Sequence, residues 1–184
     1  MKPGQKFRNA LKNNKPLIIP GTINAYSAKL AELANHNSIY LSGSGVAAAS
    51  YGLPDLGVTT LENVLIDAKR ITSATSLPLL VDIDTGWGDF DAISNTIIEM
   101  GNANVAAVHI EDQIFDKRCG HRPNKQLVST DEMQDRLKAA LDAKIDDSFF
   151  IMARTDALAS EGIEKAIERC GKYLDVGADG IFFE

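Results

Sequence analysis

Three stretches of the chain gather side chains able to do chemistry. In Val81-Asp82-Ile83-Asp84-Thr85-Gly86, strand alternation puts Asp82 and Asp84 on one face, and Glu111, two residues after His109 in the next apolar run, can point the same way. Carboxylates converging in a core repel one another unless a cation neutralises them. An all-oxygen site with bound waters suits Mg²⁺, with Mn²⁺ as the alternative, better than zinc. Asp82 and Asp84 also read as loop caps or as partners of a lysine, and His109 as a structural hydrogen-bonding group. In Lys117-Arg118-Cys119-Gly120-His121-Arg122, one thiol stands among four potentially cationic neighbours, which should favour its ionisation and let it move a proton. A nucleophile and an idle surface cysteine are the competing readings. The third stretch is Arg154 at the end of an apolar run, where a guanidinium can grip a carboxylate through two parallel bonds or pair with Asp156 or a nearby Glu.

Weaker signals surround these. Ser42-Gly43-Ser44-Gly45 can turn amides and hydroxyls toward an anion, although it lacks the GxGxxG and GxxxxGK[ST] phosphate patterns. Tyr40 reads as core, and Trp87 and Phe90 as packing for a loop mouth. Cys170 falls at helical spacing with Ala166, Ile167 and Leu174, which predicts a buried packing role.

The elements that must position these residues alternate short apolar runs with segments spaced for one-sided helices. Strands are expected at Leu17–Pro20, Ser38–Leu41, Pro78–Asp84, Val105–Glu111, Phe149–Arg154 and Gly180–Phe183. Helices are expected around Leu61–Ile71, Ile93–Met100, Thr130–Ala143 and Ile163–Leu174. Ser129 and Glu132 have the capping-box spacing for the third helix, and Gly177 suits a C-cap for the fourth. Almost every strand ends in polar residues. Polar groups spread over all the C-terminal strand ends suit a (β/α)8 TIM-type barrel, whose loops encircle one site, better than an open doubly wound sheet with one crevice. Six strands in residues 1–184 make a single partial barrel domain without an internal linker, ending after the sixth strand.

The 184 residues comprise 45% hydrophobic and 24% charged side chains, which exclude disorder, collagen and coiled coil. Nineteen basic against 25 acidic residues give a net charge of −6, which disfavours a broad grip on nucleic acid or on an anionic membrane. The first residues lack an apolar signal core and no run reaches membrane-spanning length, so a cytoplasmic location and two free thiols, Cys119 and Cys170, are expected.

Taken together, Tyr40-Leu41-Ser42-Gly43, Gly52-Leu53-Pro54-Asp55, the Val81–Gly86 segment, His109-Ile110-Glu111-Asp112-Gln113 and Lys117-Arg118-Cys119-Gly120-His121 resemble the isocitrate lyase and phosphoenolpyruvate mutase superfamily. Within it, Arg118–Lys125 and Ile151–Ala157 are most similar to the 2-methylisocitrate lyases. The resemblance implies a Mg²⁺-dependent cleavage of a small tricarboxylate, 2-methylisocitrate, into pyruvate and succinate. It further implies metal binding by Asp82 and Asp84 with Glu111 and Asp55 in support, and protonation of the succinate fragment by Cys119. Contact with the pyruvate moiety falls to Ser42, Gly43 and Ser44, and orientation of the substrate to Gly120, His121, Arg154 and Glu184. Tyr40 is a candidate base. A homo-oligomer, a tetramer, is the implied assembly. Isocitrate lyase, oxaloacetate decarboxylase and a catalytically silent fragment are the alternatives. The chain departs from the family at Ser44, where glycine is usual, and ends at Glu184, before the last strands of such a barrel.

Overall fold

The computed structural model describes residues 1–184. In chain order the elements are α1 (Pro3–Asn13), α2 (Ala25–Leu33), β1 (Ile39–Leu41), α3 (Gly43–Tyr51), α4 (Leu61–Ala74), β2 (Leu79–Asp82), α5 (Phe90–Asn102), β3 (Ala107–Glu111), α6 (Thr130–Asp142), β4 (Phe150–Thr155), α7 (Leu158–Glu161), α8 (Ile163–Val176) and β5 (Gly180–Phe183). The strands form one parallel sheet in sequence order, β1-β2-β3-β4-β5.

Alternation along each strand divides the side chains between two surfaces. Ile39 and Leu41, Leu79 and Val81, Val108 and Ile110, and Ile151 and Ala153 join one buried cluster with Ala28, Val46, Val64, Ile97, Met133 and Tyr173 from α2, α3, α4, α5, α6 and α8. Six helices thus pack on one face of the sheet, which excludes the doubly wound arrangement and matches the barrel expectation. The opposite face carries Tyr40, Leu80, Asp82, Ala107, His109, Glu111, Phe150, Met152 and Arg154. Its N-terminal end is apolar: Leu80, Ala107 and Phe150 pack with Phe7 of α1, the Phe7 and Phe150 rings 5.2 Å apart. Full burial of Phe7 contributes roughly 1.5–3 kcal/mol. The C-terminal end of the same face is charged.

Four sequence expectations need correction. Leu17–Pro20 is not a named strand: it reaches β1 only through a Gly21–Tyr40 bridge, with Tyr40 N–H donating to Pro20 O at 2.9 Å and Thr22 N–H to Tyr40 O at 2.7 Å. Prolines at 16 and 20 remove the donors a longer ladder would need. Ser42–Gly45, which its glycines mark as a short loop in the sequence, is instead the start of α3, with Ser42 as N-cap. Ser129 caps α6 through the Glu132 amide, whereas the Glu132 carboxylate turns to Arg136 at 2.8 Å and leaves the capping box half made.

The buried face of α8 is Ala166, Arg169 and Tyr173, while Ile163, Ile167 and Leu174 are exposed and Cys170 is only partly covered. The cause is a polar network: the fully buried Asp112 carboxylate accepts from the Tyr173 hydroxyl at 2.8 Å and the Thr155 hydroxyl at 2.7 Å, with Arg169 Nη1 3.5 Å away. An ionised carboxylate in a core must have such donors, so it sets the rotation of the helix against the apolar stripe. Gly177 does end α8, at φ 117°, as its freedom from a Cβ allows.

Candidate active site

The charged end of the inner face is built by strand ends and the turns that follow them. Asp82 is the last residue of β2, and its Oδ2 accepts the Gly43 amide at 3.2 Å while Oδ1 accepts the Asp84 amide at 3.1 Å. Asp84 lies beyond the strand in a left-handed turn, φ 49°. The two carboxylates still converge: a Cβ placed on Gly43 would lie 3.2 Å from Asp82 Oδ2 and 3.3 Å from Asp84 Oδ1. Glycine at 43 is what lets the first turn of α3 press against both acids. Glu111 ends β3 and is buried, its Oε2 3.5 Å from Arg154 Nε and its Oε1 without a partner.

The electrostatics follow from burial. Asp84 is pushed up to about 7, first by burial and then by the charge of Asp82, against the pull of Lys117. Glu111 is raised well above the carboxylate range by burial, which Arg154 only partly offsets. Burial opposes ionisation of Asp82 too, but His109, Lys117, Arg154 and the Asp84 amide together outweigh it and hold that carboxyl low. His109, driven down first by burial, is a neutral ring that faces Asp82 Oδ1 at 3.7 Å and meets the Tyr40 hydroxyl at 2.9 Å through Nε2. The Tyr40 phenol is raised by burial and by Asp82.

Lys117, read from the sequence as a cationic neighbour of Cys119, is instead the buried lysine partner that the alternative reading of Asp84 allowed. Its Nζ is 2.5 Å from Asp55 Oδ1 and 2.7 Å from Asp84 Oδ1, the latter a charge contact without hydrogen-bond alignment. Lys117 is committed elsewhere, and the hydrogen-bond partner of Cys119 Sγ is His121 Nδ1, at 3.9 Å.

Arg154 is gripped by Asp156, Nε to Oδ2 at 3.0 Å and Nη2 to Oδ1 at 3.1 Å, and the same carboxylate accepts Lys125 Nζ at 2.9 Å. Glu184 Oε1 sits 3.8 Å from Arg154 Nη2 and 3.6 Å from His121 Nδ1. Gly120 rests on this pair, where any Cβ would collide with Arg154 Nη2 and Glu184 Oε1.

One cavity of about 280 Å³ gathers these groups. Its wall includes Tyr40, Ser42, Ser44, Asp55, Asp82, Cys119, Gly120, His121, Arg154 and Glu184, together with Lys117 and Phe182. Of the remaining candidates, Gly43, Asp84 and Glu111 are buried and lie outside that wall. No three His, Cys, Asp or Glu side chains gather tightly enough to hold a metal ion by themselves, so the expected convergence of three carboxylates is looser than alternation implied. A cation with few direct protein ligands still fits. Glu111 Oε1 is a buried carboxylate oxygen without a hydrogen-bond partner, Asp84 Oδ1 meets only the Lys117 ammonium, and Mg²⁺ takes one or two carboxylates and keeps several waters. No helix is long and apolar enough to cross a membrane.

Comparison with known proteins agrees with this architecture. The family model described as phosphoenolpyruvate phosphomutase matches residues 7–184. The chain is 63% identical to a 2-methylisocitrate lyase of Shewanella oneidensis over 181 residues, and 56% identical to that of Escherichia coli over 184 residues. These alignments cover 98% and 99% of the chain but only 62% of each relative. A crystal structure of 2,3-dimethylmalate lyase, described as a PEP mutase/isocitrate lyase superfamily member, superimposes with a TM-score of 0.93 at 37% identity, over 100% of this chain and 62% of that one. The chain belongs to the phosphoenolpyruvate phosphomutase family, within the PEP mutase/isocitrate lyase superfamily.

Proposed function

We propose that the site cleaves the carbon–carbon bond of 2-methylisocitrate to give pyruvate and succinate, with Mg²⁺ or Mn²⁺ as its cofactor. The observation that carries this reading is the sharing of one cavity by Cys119 and Asp82, with Asp84 buried against Asp82. The names of the relatives at 56–63% identity support the same reaction.

Asp82 and Asp84 would hold the ion, largely through water, with Glu111 and Asp55 in support. Once bound, it supplies positive charge against the oxygen that turns from hydroxyl to carbonyl. Ser42 and Ser44 offer hydroxyls beside the amide-rich first turn of α3, a setting that suits the carboxylate of the fragment that becomes pyruvate. His121, Arg154 and Glu184 line the wall where the rest of the substrate lies, and Gly120 keeps the loop backbone close to Arg154. As the bond breaks, its electron pair stays on the fragment that becomes succinate, and the Cys119 thiol hands its proton to that carbon. The hydroxyl proton leaves to a base; Tyr40, the candidate the sequence offered, is a poor one while burial and Asp82 keep its phenol protonated. Assembly as a homo-oligomer, a tetramer, belongs to the same proposal.

Cys119→Ser tests the reading in a pyruvate-release assay paired with calorimetry of substrate binding. Serine is a far weaker acid, so turnover should fall about 10²-fold or more while binding holds. Normal turnover in Cys119→Ser would end the general-acid assignment.

A further inference from the structure

We infer that Gln113 is a positioning residue for Cys119: its amide grips the Arg118 peptide at both polar atoms and so fixes the segment from which the thiol projects. The inference rests on the proposed acid role of Cys119. Gln113 Nε2 donates to Arg118 O at 2.9 Å, and Arg118 N–H donates to Gln113 Oε1 at 3.0 Å. A carboxamide meets a carbonyl and an N–H at once without a charge. Ionised glutamate lacks the donor, and asparagine is one methylene short. The two bonds also fix the orientation of the amide, since turning it over would set donor against donor and acceptor against acceptor.

Gln113 is itself held firmly. It follows Glu111 by two residues, is fully buried, and pairs with Leu127 across the neck of the loop. Ile114 N–H donates to Gln126 O at 3.0 Å in the same neck, and Gln113 O accepts Arg136 Nη1 of α6 at 2.9 Å. The clamp therefore ties the residue next to Cys119 to the strand whose end carries Glu111. On the far side of the thiol, Lys125 is tied to Asp156. Cys119 itself makes only a long contact, 3.9 Å to a highly exposed His121, which cannot hold it in place.

Alkylation of Cys119 by iodoacetamide reads the clamp directly. The thiolate displaces iodide from the CH₂ carbon, and the thiol proton passes to buffer. With Cys170→Ser as background, Cys119 is the one thiol left, and mass spectrometry gives its rate. Gln113→Leu removes both bonds, and Gln113→Met removes both while keeping the side chain's length. Each should speed alkylation roughly five- to thirtyfold, the factor by which losing such bonds shifts a local opening equilibrium. In the lyase assay kcat should fall with KM within about twofold. A purely structural role would change neither the alkylation rate nor this split once circular dichroism shows the variants folded.

Unchanged alkylation in both variants would overturn the clamp whatever the activity. Faster alkylation with kcat unchanged would overturn its role in turnover. If Cys119→Ser keeps full turnover, the lyase chemistry proposed for the thiol fails instead, and the alkylation result still decides the clamp.

Discussion

Lys117 Nζ lies 2.7 Å from Asp84 Oδ1, and the ammonium and the carboxylate are both almost fully buried. Lys117 thus supplies positive charge that the paired acids of this end of the sheet require. Removing one partner of a buried ion pair leaves the other charge uncompensated, at a cost of about 3–5 kcal/mol. Lys117→Met should therefore lower the unfolding midpoint sharply. Saturating Mg²⁺ should raise the midpoint of the variant more than that of the parent, because the ion no longer competes with an internal cation. Thermal unfolding with and without MgCl₂ checks both, and a variant as stable as the parent would show that the contact contributes nothing.

Divalent-metal binding at Asp82 and Asp84 is the second expected outcome. The two carboxylates converge beside Gly43, with the Lys117 ammonium against one Asp84 oxygen. Calorimetry should detect Mg²⁺ or Mn²⁺ binding in the parent and none after Asp82→Ala combined with Asp84→Ala. Binding that survives the double substitution places the ion elsewhere.

The sequence made the parallel α/β character and the strand ends legible because both rest on local rules. Apolar runs bounded by polar residues located β1 to β5 within two residues, one-sided spacing located α4, α5 and α8, and the capping spacing at Ser129 located α6. Long-range polar contacts were hidden. Nothing near Lys117 in the chain says that its ammonium lies against Asp84, 33 residues earlier, or that Asp156 holds both Arg154 and Lys125. The short helices α2 and α3 lacked a strong apolar period, whereas α1 is one-sided and begins at Pro3; that proline and the Asn24–Ser27 capping box of α2 were readable signals.

The α8 register yields a third expected outcome, since spacing and structure disagree about which face is buried. Tyr173→Phe removes a donor from the fully buried Asp112 carboxylate and should cost roughly 1–3 kcal/mol. Ile167→Ser, at a position 60% exposed, should change stability by less than about 0.5 kcal/mol. Urea unfolding of the two variants decides it. A larger loss for Ile167→Ser would restore the apolar face as the buried one.

Self-association is the last expected outcome, and two features at one side of the fold lead to it. β5 forms one edge of the sheet, paired with β4, and Phe183 on it is exposed. Next to that edge, α8 turns Ile163, Ile167 and Leu174 to solvent, an apolar stripe of the kind that marks a contact surface. On the opposite flank, α2 exposes Tyr26, Leu30 and Leu33 in the same way. Apolar faces beside a sheet edge favour pairing between copies, so sedimentation of the 184-residue chain should show mass rising with concentration. Replacing Ile163, Ile167 and Leu174 with glutamine removes apolar area from the stripe and keeps good helix formers there. That triple variant should associate less at an unchanged unfolding midpoint. A parent chain that stays monomeric across the concentration range, or a triple variant that loses stability without losing association, would show that these faces do not drive contact.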